Sequence, residues 1–135
     1  LTAGGGNTVA ATLTNPATSG VMLLIDRLVV TSSVRTHLIL LVNPTTNLPT
    51  TVRTTVNADM GGPLGKGEFR ADLTLLPMAG GVGSGLTIGA FAARNTIELP
   101  PFRVPPGIVV GLHSFVSGQI DIDLAVWWVE EIRQV

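Results

Sequence analysis

The C-terminal stretch of residues 118–132 has the most regular alternation of apolar and other residues in the chain. One side of this period-two pattern is a continuous apolar series: Ile120, Ile122, Leu124, Val126 and Trp128. The other side holds Asp121, Asp123, Ala125, Trp127 and Val129. Because successive side chains of a strand point to opposite faces, the pattern predicts a β-strand whose first series lies in the core. The second series begins acidic and turns apolar, so we expect its last three members to contact a second subunit.

Short segments rich in Val, Ile, Leu and Thr, separated by Gly, Pro and Asn, make up the rest of the chain, and none has a helical period. The predicted strands span residues 7–14, 21–32, 35–42, 50–57, 68–76, 86–92, 97–104, 108–115 and 118–132. Glycine-rich segments 59–67 and 80–85 predict loops, and the short connection 32–34 is compatible with a hairpin. The prediction is a single all-β domain over residues 1–135, an antiparallel β-sandwich of jelly-roll type with about eight strands.

Residues 1–7 predict a flexible N-terminal arm, because they contain three consecutive glycines and no alternating apolar residues. Such a segment cannot hold a fold of its own and would contribute by reaching a neighbouring subunit. Leu1, Thr2 and Ala3 are therefore predicted interface residues, together with Ala125, Trp127 and Val129.

The composition favours a permanent homo-oligomer. Only 13% of residues are charged, 45% are hydrophobic and the mean hydropathy is +0.48, whereas about 25% charged residues are typical. A free monomer would be poorly covered by polar groups, so we expect a stable homo-oligomer, most simply a trimer. The longest apolar run, residues 21–30, is too short for a spanning helix and contains Asp26 and Arg27. Membrane binding is therefore not expected. The arginines are scattered and the net charge is -1, so nucleic-acid binding is not expected either.

No pattern of reactive residues predicts a catalytic or metal site. The chain lacks cysteine, and its two histidines, His37 and His113, form no H-x-H pair of the cupin kind. Asp121 and Asp123 lie at i and i+2 on one face, a spacing that suits Ca²⁺ or acid–base chemistry but is common on solvated sheets. The serines lack a G-x-S-x-G context. The prediction is a non-enzymatic protein without cofactor or metal.

Trp127 and Trp128 are adjacent, so one indole should fill the core and the other lie outside it. An exposed tryptophan can anchor a subunit interface or stack on a sugar. The aromatic content is only 4%, and lectin grooves normally use several aromatic residues. The preferred interpretation is that Trp128 is in the core and Trp127 at an interface, with the reverse if a bulge shifts the register.

Three features together resemble a known family: the strand LLIDRLVVTSS, the Pro105-Pro106-Gly107 turn before an apolar strand, and the terminal WWVEE. They are similar to the small jelly-roll decoration, or cement, proteins of tailed bacteriophage capsids and to related fibre heads. The likeness covers residues 21–33 and 105–131. It implies a homotrimer that binds and stabilises the shell by contacting the major capsid protein, and hence a location on the virion surface.

Two other classes of function remain open at this point. One is a trimeric receptor- or glycan-binding β-sandwich, such as the head of a phage fibre. The other is a small β-rich enzyme, which the absence of a recognisable catalytic pattern disfavours.

Overall fold

The computed structural model describes residues 2–3, 8–32, 36–57, 63–74, 76–88, 95–97, 102–114 and 120–132, and over these ranges the chain is all-β without a helix. This part of the chain contains ten strands. In order they are β1 (Thr2–Ala3), β2 (Thr8–Thr14), β3 (Val21–Ser32), β4 (Thr36–Val42), β5 (Glu68–Thr74), β6 (Val82–Ile88), β7 (Asn95–Ile97), β8 (Phe102–Val104), β9 (Val109–Ser114) and β10 (Ile120–Ile132).

The strands form two five-stranded sheets in which every pair is antiparallel. The first sheet has the order β1-β10-β3, and the short strands β7 and β8 both pair with the far edge of β3. The second sheet has the order β5-β2-β9-β4-β6. The predicted antiparallel β-sandwich is therefore confirmed, whereas the jelly-roll connectivity stays a prediction.

The core lies between the sheets and consists of side chains from both. One cluster joins Leu28 and Val30 of the first sheet to Val9, Leu38 and Leu112 of the second. A second cluster contains Leu13, Val21, Leu23, Ile25 and Val104, with Trp128 packed against it. Since burying an aliphatic side chain contributes about 1.5–3 kcal/mol, these clusters are the main source of protomer stability.

A β-bulge in β3 explains how its long apolar run faces the core along its whole length. Trp127 of β10 pairs with Arg27, but Trp128 pairs with Ile25, so Asp26 has no partner on β10. The extra residue inverts the alternation of β3. Odd-numbered residues are buried before it and Leu28 and Val30 are buried after it. The side chains of β10 alternate between the two faces without interruption, which keeps Trp128 on the core side, as the preferred interpretation expects.

Asn15 organises the corner between β2 and β3. It is fully buried, and its Nδ2 donates to the carbonyl oxygens of Val21 at 2.9 Å and Val104 at 2.7 Å. The Ser19 hydroxyl donates to Asn15 Oδ1 at 2.5 Å. Because each buried polar atom has a partner, the amide joins three segments of the chain without an unsatisfied group.

The connection that follows β4 and the connection that precedes β6 cover part of the outer face of the second sheet. The buried Met78 packs on Ala10 and Leu41 there, and a Cβ at Gly111 would lie only 3.0 Å from the Met78 Cε. His113 lies on the same face, opposite Ala10 and Ile39, and is buried. This side of the sandwich is consequently a second small core and not a solvated surface.

Three expectations for individual elements were wrong. Residues 50–57 form no regular strand and make only a bridge from Val52 to Arg70 of β5. The glycine-rich stretch 80–85, expected to be a loop, contains the start of β6 at Val82, because Gly83 allows the Leu41 side chain to approach closely. The segment 97–104, expected to be one strand at an edge or a strand start, contains parts of two, β7 and β8, which lie at the edge of the first sheet as expected.

β3 and β4, which the short connection 32–34 led us to consider as a hairpin, do not pair with each other. β3 belongs to the first sheet and β4 to the second. A short connection between two apolar runs cannot by itself distinguish a hairpin within one sheet from a crossing between sheets.

Candidate interaction surface

The outer face of β10 is the most exposed apolar region of the first sheet. Its exposed residues are Asp123, Ala125, Trp127, Val129 and Glu131. Trp127 is 48% exposed and Val129 is 51% exposed. On the neighbouring β3, Val129 pairs with the partly buried Leu24, whereas Ala125 pairs with the buried Val29. Three of the predicted interface residues thus share one exposed face, and their contact with a second subunit stays a prediction.

Arg27 lies over the Trp127 indole, with its guanidinium carbon 5.6 Å from the ring centroid. The two residues are register partners next to the bulge, which turns the Arg27 side chain outward. A guanidinium over an indole is attracted by the negative face of the ring and restrains both side chains. Sequence reasoning missed Arg27, although the polar Asp26-Arg27 pair inside an apolar run is a recognisable signal of a bulge.

Trp128 lies on the opposite, core-facing side of β10, partly buried against Leu23. Its indole Nε1 donates to Glu130 Oε2 at 3.1 Å. Gly67 lies against the same indole, because a Cβ there would be 3.2 Å from Trp128 Nε1. A side chain at this position would press on the indole, which would have to shift by a few tenths of an ångström.

The Glu130 carboxylate holds the loop formed by residues 63–67 against β10. It accepts hydrogen bonds from the backbone N–H of Lys66 at 2.8 Å and of Gly67 at 3.0 Å. Lys66 Nζ donates to the Ser19 carbonyl at 2.9 Å, which fixes the other side of the loop. Burial raises the pKa of Glu130, but the hydrogen bonds from Lys66, Gly67 and Trp128 and the Lys66 charge outweigh it and hold that pKa below its usual value.

An open groove of ≈ 640 Å³ runs beside β10 at the side of the sandwich. Residues 124–130 form the wall on the side of β10, residues 54–57 and 63–65 form the other wall, and Phe69 also lines the groove. Val56 and Leu64, in the second wall, are 73% and 75% exposed. The groove therefore combines apolar side chains with the edge of a long strand. Sequence reasoning did not anticipate it, because residues 50–57 were expected to form a strand.

The N-terminal residues lie next to this region. Thr2 pairs with Asp121 and Ala3 with Ile120, so β1 extends the first sheet of its own chain. Leu1 and residues 4–7 of the predicted arm lie outside the described residues. Whether the arm reaches a neighbour stays a prediction.

Among the histidines and aspartates considered for metal or catalytic roles, the structure describes the side chains of His113 and Asp123. His113 lies beneath the loops on the second sheet, and burial lowers its pKa although a hydrogen bond to the Ser114 carbonyl opposes that effect. The side chains of His37 and Asp121 lie outside the described residues. In the described ranges no group of three His, Cys, Asp or Glu side chains could hold a metal ion.

Comparison with known proteins identifies no relative: no protein-family model, no curated protein and no solved structure matches the chain. Within the residues that the structure describes, no helix has the length and apolar character needed to cross a membrane. The outer face of β10 and the groove beside it, built from Arg27, Trp127, Val129 and the Glu130-bound loop, are the features on which a function can be argued.

Proposed function

We propose that this protein is a non-enzymatic structural protein of a virion, a capsid decoration protein that acts as a homotrimer and stabilises the shell by binding the major capsid protein. The observation that carries the proposal is the exposed apolar face of β10, where Trp127 and Val129 are about half exposed. Tryptophan and arginine are the residues most enriched among interface hot spots, and Arg27 and Trp127 lie together here.

Composition supports a permanent assembly. The chain has few charges with which to keep an apolar surface soluble, and a patch of this kind is typical of a protein–protein contact. Residues 21–33 and 105–131, which carry the resemblance to phage decoration proteins, include both strands of this face.

Light scattering on the purified protein tests the oligomer. We expect three times the protomer mass of 14.0 kDa at micromolar concentration. Trp127→Ala should weaken the assembly by about 2 kcal/mol, because an anchor residue is lost. Leu76→Ala removes an exposed apolar side chain of the second sheet's loops and is the matched control that should leave the mass unchanged. A parent protein that remains monomeric at tens of micromolar would contradict the proposal.

Co-sedimentation with undecorated shells of the source virus tests the capsid role. The parent should bind at saturable occupancy and raise the temperature at which the shells break, whereas Trp127→Ala should bind less. Shells that neither bind the protein nor gain stability would exclude the decoration function while leaving the oligomer intact.

A trimeric receptor- or glycan-binding head is the alternative, and the half-exposed Trp127 beside an open groove favours it. A sugar would stack on the indole, so Trp127→Ala should abolish binding on a glycan array without changing the oligomer. No binding to any glycan, with an intact trimer, would favour the decoration function.

A further inference from the structure

In the described part of the chain, β10 has a strand partner on only one edge over most of its length. β3 pairs with one edge from Ile122 to Ile132, whereas on the other edge β1 is the only strand that pairs within the described chain, at Ile120 and Asp121. From Ile122 onward the strand contains neither Pro nor Lys, two of the residues with which proteins protect an edge. Its outward N–H and C=O groups are therefore arranged to accept another strand.

The groove supplies side-chain contacts along the same edge. An extended segment placed beside β10 would lie between residues 124–130 and the wall formed by residues 54–57 and 63–65. Val56 and Leu64 expose most of their side chains to this space. Such a segment would gain main-chain hydrogen bonds from β10 and apolar contacts from the wall, which is the combination used in strand addition.

Two carboxylates mark the ends of the edge. Asp123 and Glu131 are exposed on the outer face, eight positions apart and so separated by roughly 26 Å along the strand. Among the described residues the only ion pair joins Arg70 and Glu68. Two cations of neighbouring elements have other contacts, since Arg27 lies over Trp127 and Lys66 Nζ bonds to the Ser19 carbonyl.

The charges of Asp123 and Glu131 determine which kind of strand can pair with this edge. A second copy of β10, paired antiparallel about Trp127, would place Asp123 opposite Glu131 at both ends, and like charges directly opposite each other destabilise a pair of strands. A strand with a basic residue at each end would instead form two favourable cross-strand pairs. The three residues between the carboxylates on this face, Ala125, Trp127 and Val129, call for apolar partners.

We propose that the open edge of β10 binds an extended segment of a partner protein, antiparallel to β10, with Lys or Arg at two positions eight residues apart and apolar residues at the three alternate positions between them. The C-terminal end of the guest lies opposite Asp123, near the start of β1 at Asp121, and the guest runs in the same direction as β1 along this edge. This recognition goes beyond the proposed assembly and does not require it.

Fluorescence anisotropy with labelled synthetic peptides tests the charge pattern. The probe KTVTVTVTK places lysines opposite Glu131 and Asp123 and valines opposite Val129, Trp127 and Ala125. We expect it to bind, and the control ETVTVTVTE to bind about ten-fold more weakly at low salt. The double variant Asp123→Asn, Glu131→Gln should bring the two affinities together. Failure of the lysine-ended peptide to bind, or equal affinity for both peptides, overturns the proposal.

Methylation of single peptide nitrogens tests strand pairing itself. In an antiparallel ladder the N–H groups of alternate residues face alternate sides. Methylating the central valine and methylating the adjacent threonine should therefore have opposite results, one abolishing binding and the other leaving it nearly unchanged. Two equal effects would mean that the peptide does not add as a strand.

Substitutions in the far wall of the groove locate the site. Leu64→Ser should weaken binding of KTVTVTVTK about five-fold through lost apolar contact. Val82→Ser changes a valine that is 77% exposed on β6 and is the matched control that should bind like the parent. Equal loss in both variants would overturn the location. Light scattering on the same samples reports the oligomer separately, so failure of strand addition and failure of the proposed trimer are distinguishable.

Discussion

At the scale of single residues, Asn15 is the polar side chain whose loss should be most costly. Asn15→Ala leaves the carbonyl groups of Val21 and Val104 without their donor in a buried corner. We expect the free energy of unfolding to fall by about 3 kcal/mol. Urea denaturation measures the change, and Thr18→Ala, at an exposed position of the same turn, is the control. If the free energy of unfolding falls no more in Asn15→Ala than in the control, water must donate to the two carbonyl groups in place of the amide.

His113 should make stability depend on pH. Its pKa is lowered by burial in the folded protein, so the unfolded chain takes up the proton at a higher pH than the folded chain does. The contribution is fully present above the unfolded value of about 6.5 and is lost as the pH falls through the folded value. Urea denaturation from about pH 8 to about pH 5 should show a steeper loss for the parent than for His113→Gln. Parallel curves would contradict this account.

The two tryptophans should respond differently to truncation. Trp128→Ala opens a cavity against Leu23 and removes a hydrogen bond to Glu130, so we expect a loss of about 3 kcal/mol of protomer stability. Trp127→Ala removes a half-exposed ring and should cost under about 1 kcal/mol. Thermal unfolding at a protein concentration low enough to populate the protomer compares them. Equal losses would show that the two faces of β10 are not distinct.

At the scale of elements, Glu130 couples the loop of residues 63–67 to β10. In Glu130→Ala the Lys66 and Gly67 amides lose their acceptor, and hydrogen exchange at these two amides should become faster. Glu131→Ala removes the neighbouring exposed carboxylate and should leave their exchange unchanged. Unchanged protection in Glu130→Ala would mean that Lys66 Nζ and the Gly67 contact suffice to hold the loop.

The element that sequence reasoning placed best is β10, which has a strong period-two pattern. Sequence reasoning failed where tertiary contacts outweigh local preference. Residues 50–57 are rich in β-branched residues but lie at an edge where only Val52 finds a bridge. Conversely, Gly83 would ordinarily weaken a strand, yet β6 forms because β4 provides a partner along its whole length.

At the scale of the whole molecule, the first sheet depends on strands far apart in the chain. Val21 at the start of β3 pairs with Ile132 at the end of β10. A fragment ending at residue 119 would leave β3 paired only with the three-residue strands β7 and β8. We expect this fragment to be unfolded, as judged by poor dispersion of its amide proton spectrum. A dispersed spectrum would show that the second sheet folds without β10.

Only part of the candidate surface could be predicted from the sequence, because some of its residues come together from distant parts of the chain. Periodicity placed Ala125, Trp127 and Val129 on one exposed face, because that requires knowledge of a single strand. Arg27 and the groove depend on which strands become neighbours, and Glu130 depends on a loop more than sixty positions away. Contacts between residues so far apart in the chain cannot be recognised from the hydrophobic pattern of a short segment.

The adjacent positions of Trp127 and Trp128 give the protein a built-in pair of optical probes. The chain has no tyrosine and no other tryptophan, so on excitation at wavelengths that phenylalanine does not absorb its emission comes from these two indoles alone. One indole lies beneath a guanidinium at the surface and the other beside a carboxylate at the core. Replacing either with phenylalanine isolates the other, and a single strand then reports separately on events outside the sandwich and on packing within it.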